Sequence, residues 1–332
     1  LVQGTPPSID DFQLQSVLGE GSFGKVFRAQ HRRTGKLVAL KAIEKHDFNS
    51  FDTFSSLVLE QRILLQARKE SCHFLIGLVA SFQTEHHMCF AMDCAEGGDL
   101  DSLLGKERLS LETTTFYSAC IVLGLKFLHE HNIAHLDLKP ENILLDRDGY
   151  AKIADYGLSK EGMTFDTVAY GDCGTLYYSA PEILREESYK RSADWWSLGI
   201  IIYKMLHGRL PFAAKCIYDI IRLITSSEPT YSEELTVESH SILVNLLKKN
   251  PNDRLGAGEY GTEDVMNSTF FKEMDWEALM RKQIQAPHIP EEKMTEFADQ
   301  SESLKLKVNI IPEPLWEDAK MALNELEYAA SS

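Results

Sequence analysis

Four polar side chains interrupt apolar sequence at fixed offsets within one short stretch of the chain. Asp137, Lys139 and Asn142 lie in the run IAHLDLKPENILL, and Asp155 follows in IADYG. Such polar groups cost free energy between buried strands unless a ligand or partner compensates them. Their types suit phosphoryl transfer, which needs a carboxylate to orient a hydroxyl, an ammonium near the transferred phosphate and oxygen ligands for Mg2+. Capped turns explain Asn142 or Asp155 singly, but not the whole set.

A glycine-rich segment near the start of the chain has the spacing GxGxxGxV, written GEGSFGKV over residues 19–26. Glycines allow backbone amides to approach a phosphate closely. The pattern is followed by a strand rather than a helix, which argues against the dinucleotide-binding turn of the same spacing. An ordinary hairpin is the alternative interpretation.

Lys41 and Glu60 form the second charged candidate. Lys41 follows the apolar run Leu37–Leu40, and Glu60 falls on the apolar stripe of the next helical segment. A carboxylate on a buried helix face needs a partner, and Lys41 is the natural one. An exposed helix glutamate is the alternative.

Residue patterns divide the chain into a strand-rich front and a helix-rich back. Alternating apolar runs predict strands within 12–43 and over 78–82 and 88–92. A period of 3.6 predicts helices over 52–68, 111–131, 193–207, 217–225 and 239–249. This order predicts an α+β architecture with two lobes that meet near residues 93–98, where a cleft could hold a ligand.

Composition excludes several classes of function. The 332 residues include 34 Lys and Arg against 50 Asp and Glu, so the net charge is 34 − 50 = −16, which repels nucleic acid and anionic membranes. Six cysteines without a CxxC pair favour a reducing compartment, and hence a cytoplasmic location. We expect no apolar stretch as long as the roughly 18 residues of a membrane span. The first residue, Leu1, suggests a piece of a longer protein.

Together these motifs resemble the signature set of eukaryotic protein kinases. The set comprises the glycine loop, VALK at 38–41, Glu60, HLDLKPEN at 135–142, DYG at 155–157, APE at 180–182 and DWWSLG at 194–199. Lys139 within KPEN is similar to the Ser/Thr class. Phrases such as NPNDRLGAGE and DWEALM resemble the AGC class, and the chain is identified as similar to its protein kinase C-related, or protein kinase N, branch.

The resemblance implies a bilobal kinase domain over 12–271, with an antiparallel sheet and one helix in an N-lobe of about 12–92, a hinge at 93–98 and a mainly helical C-lobe of about 99–271. An AGC-type tail would follow over 272–332. The implied catalytic residues are Asp137 as base, Lys139 at the γ-phosphate, and Lys41 held by Glu60. The implied metal ligands are Asn142 and Asp155. The implied nucleotide-binding residues are Gly19, Glu20, Gly21, Ser22, Phe23, Gly24, Val26, Ala39, Lys41, Met92, Asp93, Ala95, Asp99, Glu141, Leu144 and Phe297.

Further roles follow from the same resemblance. ATP and Mg2+ would be the cofactors. The hinge residues Asp93 and Ala95 would offer backbone groups to adenine, and the tail aromatic Phe297 would fold over the nucleotide, although a surface-packing role is its alternative. Asp99 and Glu141 match acidic positions that favour basic residues before the target hydroxyl. As a bare pattern Asp194 is an N-cap, and within the family it is structural.

Two departures from the family concern activation. Leu136 stands where an arginine normally reads a phosphate on the activation loop, and Gly171 stands where the phosphorylated threonine is usual. A leucine cannot make a bidentate charged contact. We therefore hypothesise that the usual phosphorylation does not switch this loop, with Asp172 as a permanent negative charge.

Other departures concern the substrate and the tail. The run Leu176–Ser179 alters the groove for the residue after the acceptor, which predicts a shift away from strictly basic recognition. Glu327 fills a tail phosphosite with a carboxylate. The predicted partner is a protein with a Ser or Thr acceptor, and Rho-GTPase or lipid regulation would act only through regions absent from this chain. The alternative function is a catalytically weak pseudokinase that serves as a nucleotide-binding scaffold or a partner-binding module.

Overall fold

The chain folds into two compact units. The structure is a computed structural model that describes residues 7–21, 24–45, 51–105, 108–171, 173–290 and 328–329. With these gaps, the first unit holds residues up to 72, residues 76–96 and residues 328–329, and the second unit holds residues 73–75 and 97–290. The chain thus passes from one unit to the other between Glu96 and Gly97, within the segment predicted as a hinge.

An antiparallel six-stranded sheet forms most of the first unit. Its strands are β1 (Phe12–Gly21), β2 (Gly24–His31), β3 (Leu37–Glu44), β4 (Leu78–Gln83), β5 (His87–Asp93) and β8 (Tyr328–Ala329), in the order β1-β2-β3-β5-β4-β8. Its core includes Phe12 and Phe82, whose rings stack with centroids 5.5 Å apart. The predicted antiparallel sheet is confirmed, with β1 and β2 joined through the glycine-rich turn.

One helix, α1 (Phe51–Lys69), accompanies this sheet. Its predicted apolar stripe is largely buried, with Phe54, Leu57 and Leu64 each at most 7% exposed. Arg68 and Lys69 lie in its last turn, where positive charge opposes the negative end of the helix dipole. The helix therefore exists because the sheet buries one of its faces and because its end carries the favourable charge.

The second unit is mainly helical and contains one small hairpin. Its helices are α2 (Leu100–Leu104), α3 (Leu111–Glu130), α4 (Pro181–Leu184), α5 (Ala193–His207), α6 (Ile217–Ser226), α7 (Val237–Leu246), α8 (Gly261–Met266) and α9 (Trp276–Met280), and its hairpin joins β6 (Ile143–Leu145) to β7 (Ala151–Ile153). The predicted α+β class is thereby confirmed. The helix predicted over 239–249 begins earlier, because Thr236 caps the amide of Ser239, and it ends at Leu246.

Helix α3 corrects one expectation from composition. By length and hydropathy it could cross a membrane, since it spans 20 residues and its most apolar 18-residue window has a mean hydropathy of 1.2, contrary to the expectation that no apolar stretch is long enough. However, 67% of its most apolar window is buried within the protein. The helix packs against α5, α8 and β7, so α3 is the core helix of the second unit.

A buried ion pair links α4 to the loop after α7. Arg254 donates to both oxygens of Glu182 at 2.7 and 2.8 Å, and the two side chains are 0% and 1% exposed. Arg254 also donates to the Ser192 carbonyl just before α5. Because the pair is bidentate and fully enclosed, either partner alone would be an uncompensated buried charge.

We predict that Glu182→Ala lowers the free energy of unfolding by roughly 3–5 kcal/mol, since it leaves the Arg254 guanidinium buried without its counterion. Urea unfolding followed by circular dichroism measures the change. The control is Glu238→Ala, which breaks the solvent-exposed pair with Lys272. A loss for Glu182→Ala no larger than that of the control would contradict the structural role of the buried pair.

Candidate active site

The carboxylate of Asp194 holds the loop that carries the polar cluster. It is fully buried in the first turn of α5. Its Oδ2 atom accepts from the His135 amide at 2.9 Å and from His129 Nε2 at 2.8 Å, and its Oδ1 atom accepts from the Leu136 amide at 2.8 Å. The N-cap interpretation is wrong, because the side chain binds loop amides far along the chain rather than those of its own helix.

These contacts determine the charge state of Asp194. Burial by itself raises the pKa of a carboxyl group. Here the hydrogen bond from His129, the nearby histidine charge and the Leu136 amide outweigh that burial, so the pKa of Asp194 lies below its ordinary value. The group is therefore an anion that the protein has solvated with its own donors.

Asp137 lies within a closed set of hydrogen bonds. Lys139 Nζ is 2.8 Å from its Oδ2 atom, and the Thr175 hydroxyl donates to its Oδ1 atom at 2.8 Å. Lys139 also donates to Thr175 Oγ1 at 2.8 Å. Asn142 donates to the Asp137 carbonyl at 2.8 Å. The carboxylate is 8% exposed, so it is fixed in direction yet open at one edge.

Thr175 is the functional candidate that the sequence did not assign. A single threonine beside a glycine carries no pattern, and its role appears only because the segment returns to Asp137 and Lys139. His135 is a second such residue. Its Nδ1 atom accepts from the Asp137 amide at 3.3 Å, and its ring meets the Tyr156 ring edge-on at 5.7 Å.

Asn142 and Asp155 are brought near each other by the β6–β7 hairpin. The register pairs Ile143 with Ile153, and the Ala154 amide then donates to the Asn142 carbonyl at 2.9 Å. Asp155 follows at once, with an exposed side chain and a φ of 60°. A non-glycine residue in that left-handed region is strained, which is common where a side chain must be aimed.

The donor set of Asn142 and Asp155 fits a hard divalent cation. The amide nitrogen of Asn142 donates to Asp137, which leaves its amide oxygen as a ligand, and Asp155 adds a carboxylate just after β7. Within the described ranges no group of three or more His, Cys, Asp or Glu side chains could hold a metal by itself. A cation here would take its remaining ligands from phosphate oxygens and water, as Mg2+ commonly does.

Leu136, between His135 and Asp137, is an apolar side chain that is buried. It is 4% exposed and has a φ of 65°, an uncommon conformation for a bulky residue. A Cβ added to Gly174, whose φ is 83°, would lie 2.6 Å from the Leu136 carbonyl. The segment before Thr175 therefore passes directly against the loop that Asp194 holds, and only glycine fits there.

The segment 160–171 has its own attachments. Lys160 donates to the Tyr170 carbonyl at 2.9 Å and to the Tyr189 hydroxyl at 2.7 Å. Ala169 and Tyr189 exchange two backbone hydrogen bonds of 2.8 and 2.9 Å. Ala134 pairs with Lys160 in the same way. Asp172, the predicted permanent charge, lies outside the described residues.

Tyr156 places its hydroxyl within the protein. The side chain is 1% exposed, and the hydroxyl donates to the Ile153 carbonyl at 2.8 Å. The hydroxyl is thus satisfied locally, next to Asp155.

In the first unit, Lys41 and Glu60 form a close ion pair. Lys41 Nζ is 2.6 Å from Glu60 Oε1, and the side chains are 12% and 6% exposed. Glu60 is therefore buried rather than exposed. The strand register places Val26 opposite Lys41 on β2, and Ala39 opposite Met92 on β5.

The glycine-rich turn connects β1 and β2. Gly21 pairs with Gly24, and Glu20 forms an exposed ion pair with Lys25 at 3.3 Å. Gly24 has a φ of 130°, and a Cβ there would lie 2.1 Å from the Ala42 carbonyl, so this position requires glycine.

Three of the predicted nucleotide-binding residues, Ser22, Phe23 and Phe297, lie outside the described residues. Leu18, just before the glycines and 53% exposed, is an apolar candidate that the sequence did not assign.

The remaining predicted nucleotide-site residues are divided between the units. Met92, Asp93 and Ala95 belong to the first unit. Asp99, Glu141 and Leu144 belong to the second, where Asp99 caps α2 by accepting from the Ser102 amide at 2.7 Å and also pairs with Leu144 as an isolated bridge.

Comparison with known proteins gives a consistent result. The protein kinase domain family matches residues 12–271. The chain is 44% identical over 283 residues to serine/threonine-protein kinase N2 of Danio rerio and 40% identical over 285 residues to serine/threonine-protein kinase N3 of Mus musculus. It is also 42% identical over 282 residues to protein kinase C-like 2 of Schizosaccharomyces pombe. These matches cover 85%, 86% and 85% of the chain but only 29%, 32% and 28% of the relatives. The chain thus spans about a third of their length.

The lowered pKa of Asp194 gives a testable dependence on pH. Its folded pKa lies below its ordinary value of 3.8, so the ionised carboxylate contributes its full stabilisation above that value and loses it as the pH falls through the folded pKa. We expect Asp194→Asn to lower the free energy of unfolding at pH 7, and we expect its deficit relative to wild type to shrink below pH 3.8.

Urea titrations from pH 7 downward measure this difference. Asp264→Asn, which removes an exposed carboxylate in α8, is the control for the loss of one negative charge. A deficit that stays constant or grows on acidification would show that the charge of Asp194 is not what stabilises the loop.

Proposed function

This chain belongs to the protein kinase domain family, and we propose that it transfers the γ-phosphoryl group of ATP to serine or threonine hydroxyls of proteins. The observation that carries the proposal is the closed set of Asp137, Lys139 and Thr175, with all three contacts at 2.8 Å. Family membership implies ATP and a divalent metal, and the oxygen donors of Asn142 and Asp155 support Mg2+ as that metal.

In the proposed reaction, Asp137 orients the acceptor hydroxyl and accepts its proton as the oxygen attacks phosphorus. Thr175 and Lys139 prevent the carboxylate from rotating, and Lys139 also offers positive charge to the phosphoryl group in transfer. Lys41 would contact the α- and β-phosphates while Glu60 holds it in place. A bound Mg2+ would neutralise phosphate charge. Catalysis of this kind is mostly positioning and electrostatic stabilisation, which fixed side chains provide.

A catalytically weak pseudokinase is the competing function, favoured by Leu136 and Gly171. The geometry supports activity instead, because the charged residues that catalysis needs are present and form two close pairs, Lys139 with Asp137 and Lys41 with Glu60. A chain that only bound partners would have no need to keep a strained Asp155 beside Asn142.

We predict that Asp137→Asn lowers kcat by about 100- to 10,000-fold, since the amide cannot accept the proton. Nucleotide affinity should change little, because Asp137 acts on the hydroxyl. Transfer of labelled phosphate from ATP to a Ser/Thr peptide measures kcat, and calorimetry measures nucleotide binding. Asp148→Asn, an exposed carboxylate on the β6–β7 turn, is the control. Equal transfer by wild type and Asp137→Asn would remove the catalytic interpretation.

We further propose that the activation segment is held without a phosphothreonine. Support comes from the contacts of Lys160 with Tyr170 and Tyr189, and from the backbone pairing of Ala169 with Tyr189. Leu136 is buried at the position where the resemblance implies an arginine that would bind the phosphate. The loop is held by Asp194, which accepts a hydrogen bond from the Leu136 amide.

Accordingly, we expect treatment with a protein phosphatase to leave most of kcat/KM intact, whereas Lys160→Met lowers it because two attachments of the segment are lost. Mass spectrometry before and after treatment establishes which residues carried phosphate. Lys190→Met, in the same region, is the matched control. A large loss of activity that follows phosphate removal from Thr164, Thr167 or Tyr170 would contradict this mode of activation.

Substrates, partners and location are proposals of a broader kind. The names of the relatives support protein substrates with Ser or Thr acceptors. Tyr177 is 38% exposed in the segment expected to hold the residue after the acceptor, which supports recognition that is less strictly basic. None of the six cysteines, which all lie in the described part of the chain, forms a disulfide, and this supports a cytoplasmic location.

A further inference from the structure

Arg68, in the last turn of α1, connects that helix to two strands of the sheet. Its Nη2 atom is 2.6 Å from Asp93 Oδ1 at the end of β5. Its Nε atom donates to the Leu78 carbonyl at the start of β4, at 2.9 Å. The planar guanidinium thus directs two neighbouring N–H donors, held in a fixed geometry, at two different strands, and a lysine has no such fixed pair of donors.

Asp93 receives several donors at the same point. Its Oδ2 atom accepts from the Gly77 amide at 3.3 Å, and its Oδ1 atom is 3.5 Å from Lys36 Nζ on the segment before β3. The Asp93 amide in turn donates to the Gly77 carbonyl at 3.0 Å. The end of β5 is therefore fixed through both its backbone and its side chain.

The pair differs from the surface ion pairs of this protein. The side chains of Arg68 and Asp93 are 30% and 26% exposed, whereas those of Arg108 and Glu234 are 62% and 69% exposed. Partly enclosed, charge-assisted contacts with additional backbone bonds are stronger and more directional than exposed ones. An ion pair that lay only on the surface would lack the additional hydrogen bond from Arg68 to the Leu78 carbonyl on β4.

The location of this pair connects two parts of the proposed nucleotide site. Glu60, which holds Lys41, lies eight positions before Arg68 on α1, about 12 Å along the helix axis. Asp93 and its neighbour Met92 form the end of β5 that is expected to meet adenine. The ion pair is thus a rigid link between the helix that positions the phosphate-binding lysine and the strand that would bind the base.

We propose that the Arg68–Asp93 ion pair couples occupation of the adenine position to the placement of α1, so that Arg68 is a positioning residue for the Lys41–Glu60 contact. The inference rests on the proposed function, since it assumes that β5 ends at a nucleotide site. A ligand that fixes the Asp93 backbone would, through Arg68, restrict α1 even without touching Lys41. By reciprocity, loosening Arg68 weakens binding of the base.

Adenosine is a suitable probe because it lacks the phosphates that would reach Lys41. We expect adenosine to slow amide hydrogen exchange in the α1 peptide around Glu60 in wild type, and we expect that protection to disappear in Arg68→Ala and Arg68→Gln. The dissociation constant for adenosine should rise by about fivefold in both variants. Arg68→Lys should restore only part of the protection, because it keeps the charge but not the second contact.

Lys69→Ala is the matched control, since it removes an exposed cation from the same helical turn. It should leave adenosine binding and α1 protection as in wild type. Arg68→Gln keeps a donor for the Leu78 carbonyl, so it provides a folded comparison if Arg68→Ala is unstable. Thermal melting of each variant separates a general loss of stability from a loss of coupling.

Two failures can be told apart. If adenosine binds wild type but protects α1 equally in Arg68→Gln, the coupling through Arg68 is wrong and the proposed function stands. If neither adenosine nor ATP binds wild type in calorimetry, the proposed function fails, and the inference fails with it.

Discussion

One fully buried carboxylate positions the candidate catalytic loop. The Asp194 carboxylate accepts hydrogen bonds from two consecutive loop amides and from a histidine nitrogen. These hydrogen bonds keep it ionised although it is completely buried. Because the amides of His135 and Leu136 are fixed, the backbone of Asp137 is fixed too. The only freedom left to the Asp137 carboxylate is rotation about its side-chain bonds. Lys139 and Thr175 then remove that remaining freedom.

We propose that this anchoring lets the site work without a phosphate-reading arginine. The resemblance to kinases implies an arginine at this position that would bind a phosphorylated segment, whereas Leu136 is apolar and buried. Here the segment is attached through Lys160 and Tyr189, and it approaches the loop closely at Gly174. In this proposal, hydrogen bonds and packing within the second unit provide the positioning that a phosphorylated segment would otherwise provide, and the backbone at Leu136 is strained.

The sequence predicted those parts whose signals are local. An apolar period of 3.6 predicts the helix over 52–68. Glu60 falls on the apolar stripe of that helix, so its burial can be predicted from the local sequence alone. The roles of Thr175 and Asp194 could not be found in that way, since each depends on contacts with residues 36 to 65 positions away. The start of α7 was misplaced because the cap, Thr236, lies outside the apolar pattern. The sequence pattern predicts no apolar stretch long enough to span a membrane, yet α3 is one by length and mean hydropathy. Polar residues interrupt its apolar run, so no uninterrupted apolar stretch is visible in the sequence.

Amide protection of His135 and Leu136 tests the central claim most directly. Hydrogen exchange resolved to single residues in the phosphate-free protein would show whether Asp194 holds the loop without any modification. We predict protection of both amides comparable to that in the middle of α5, because their acceptor is a buried anion. Exchange of these two amides as fast as in exposed loops would contradict the account, since the loop would then depend on something other than Asp194 for its order.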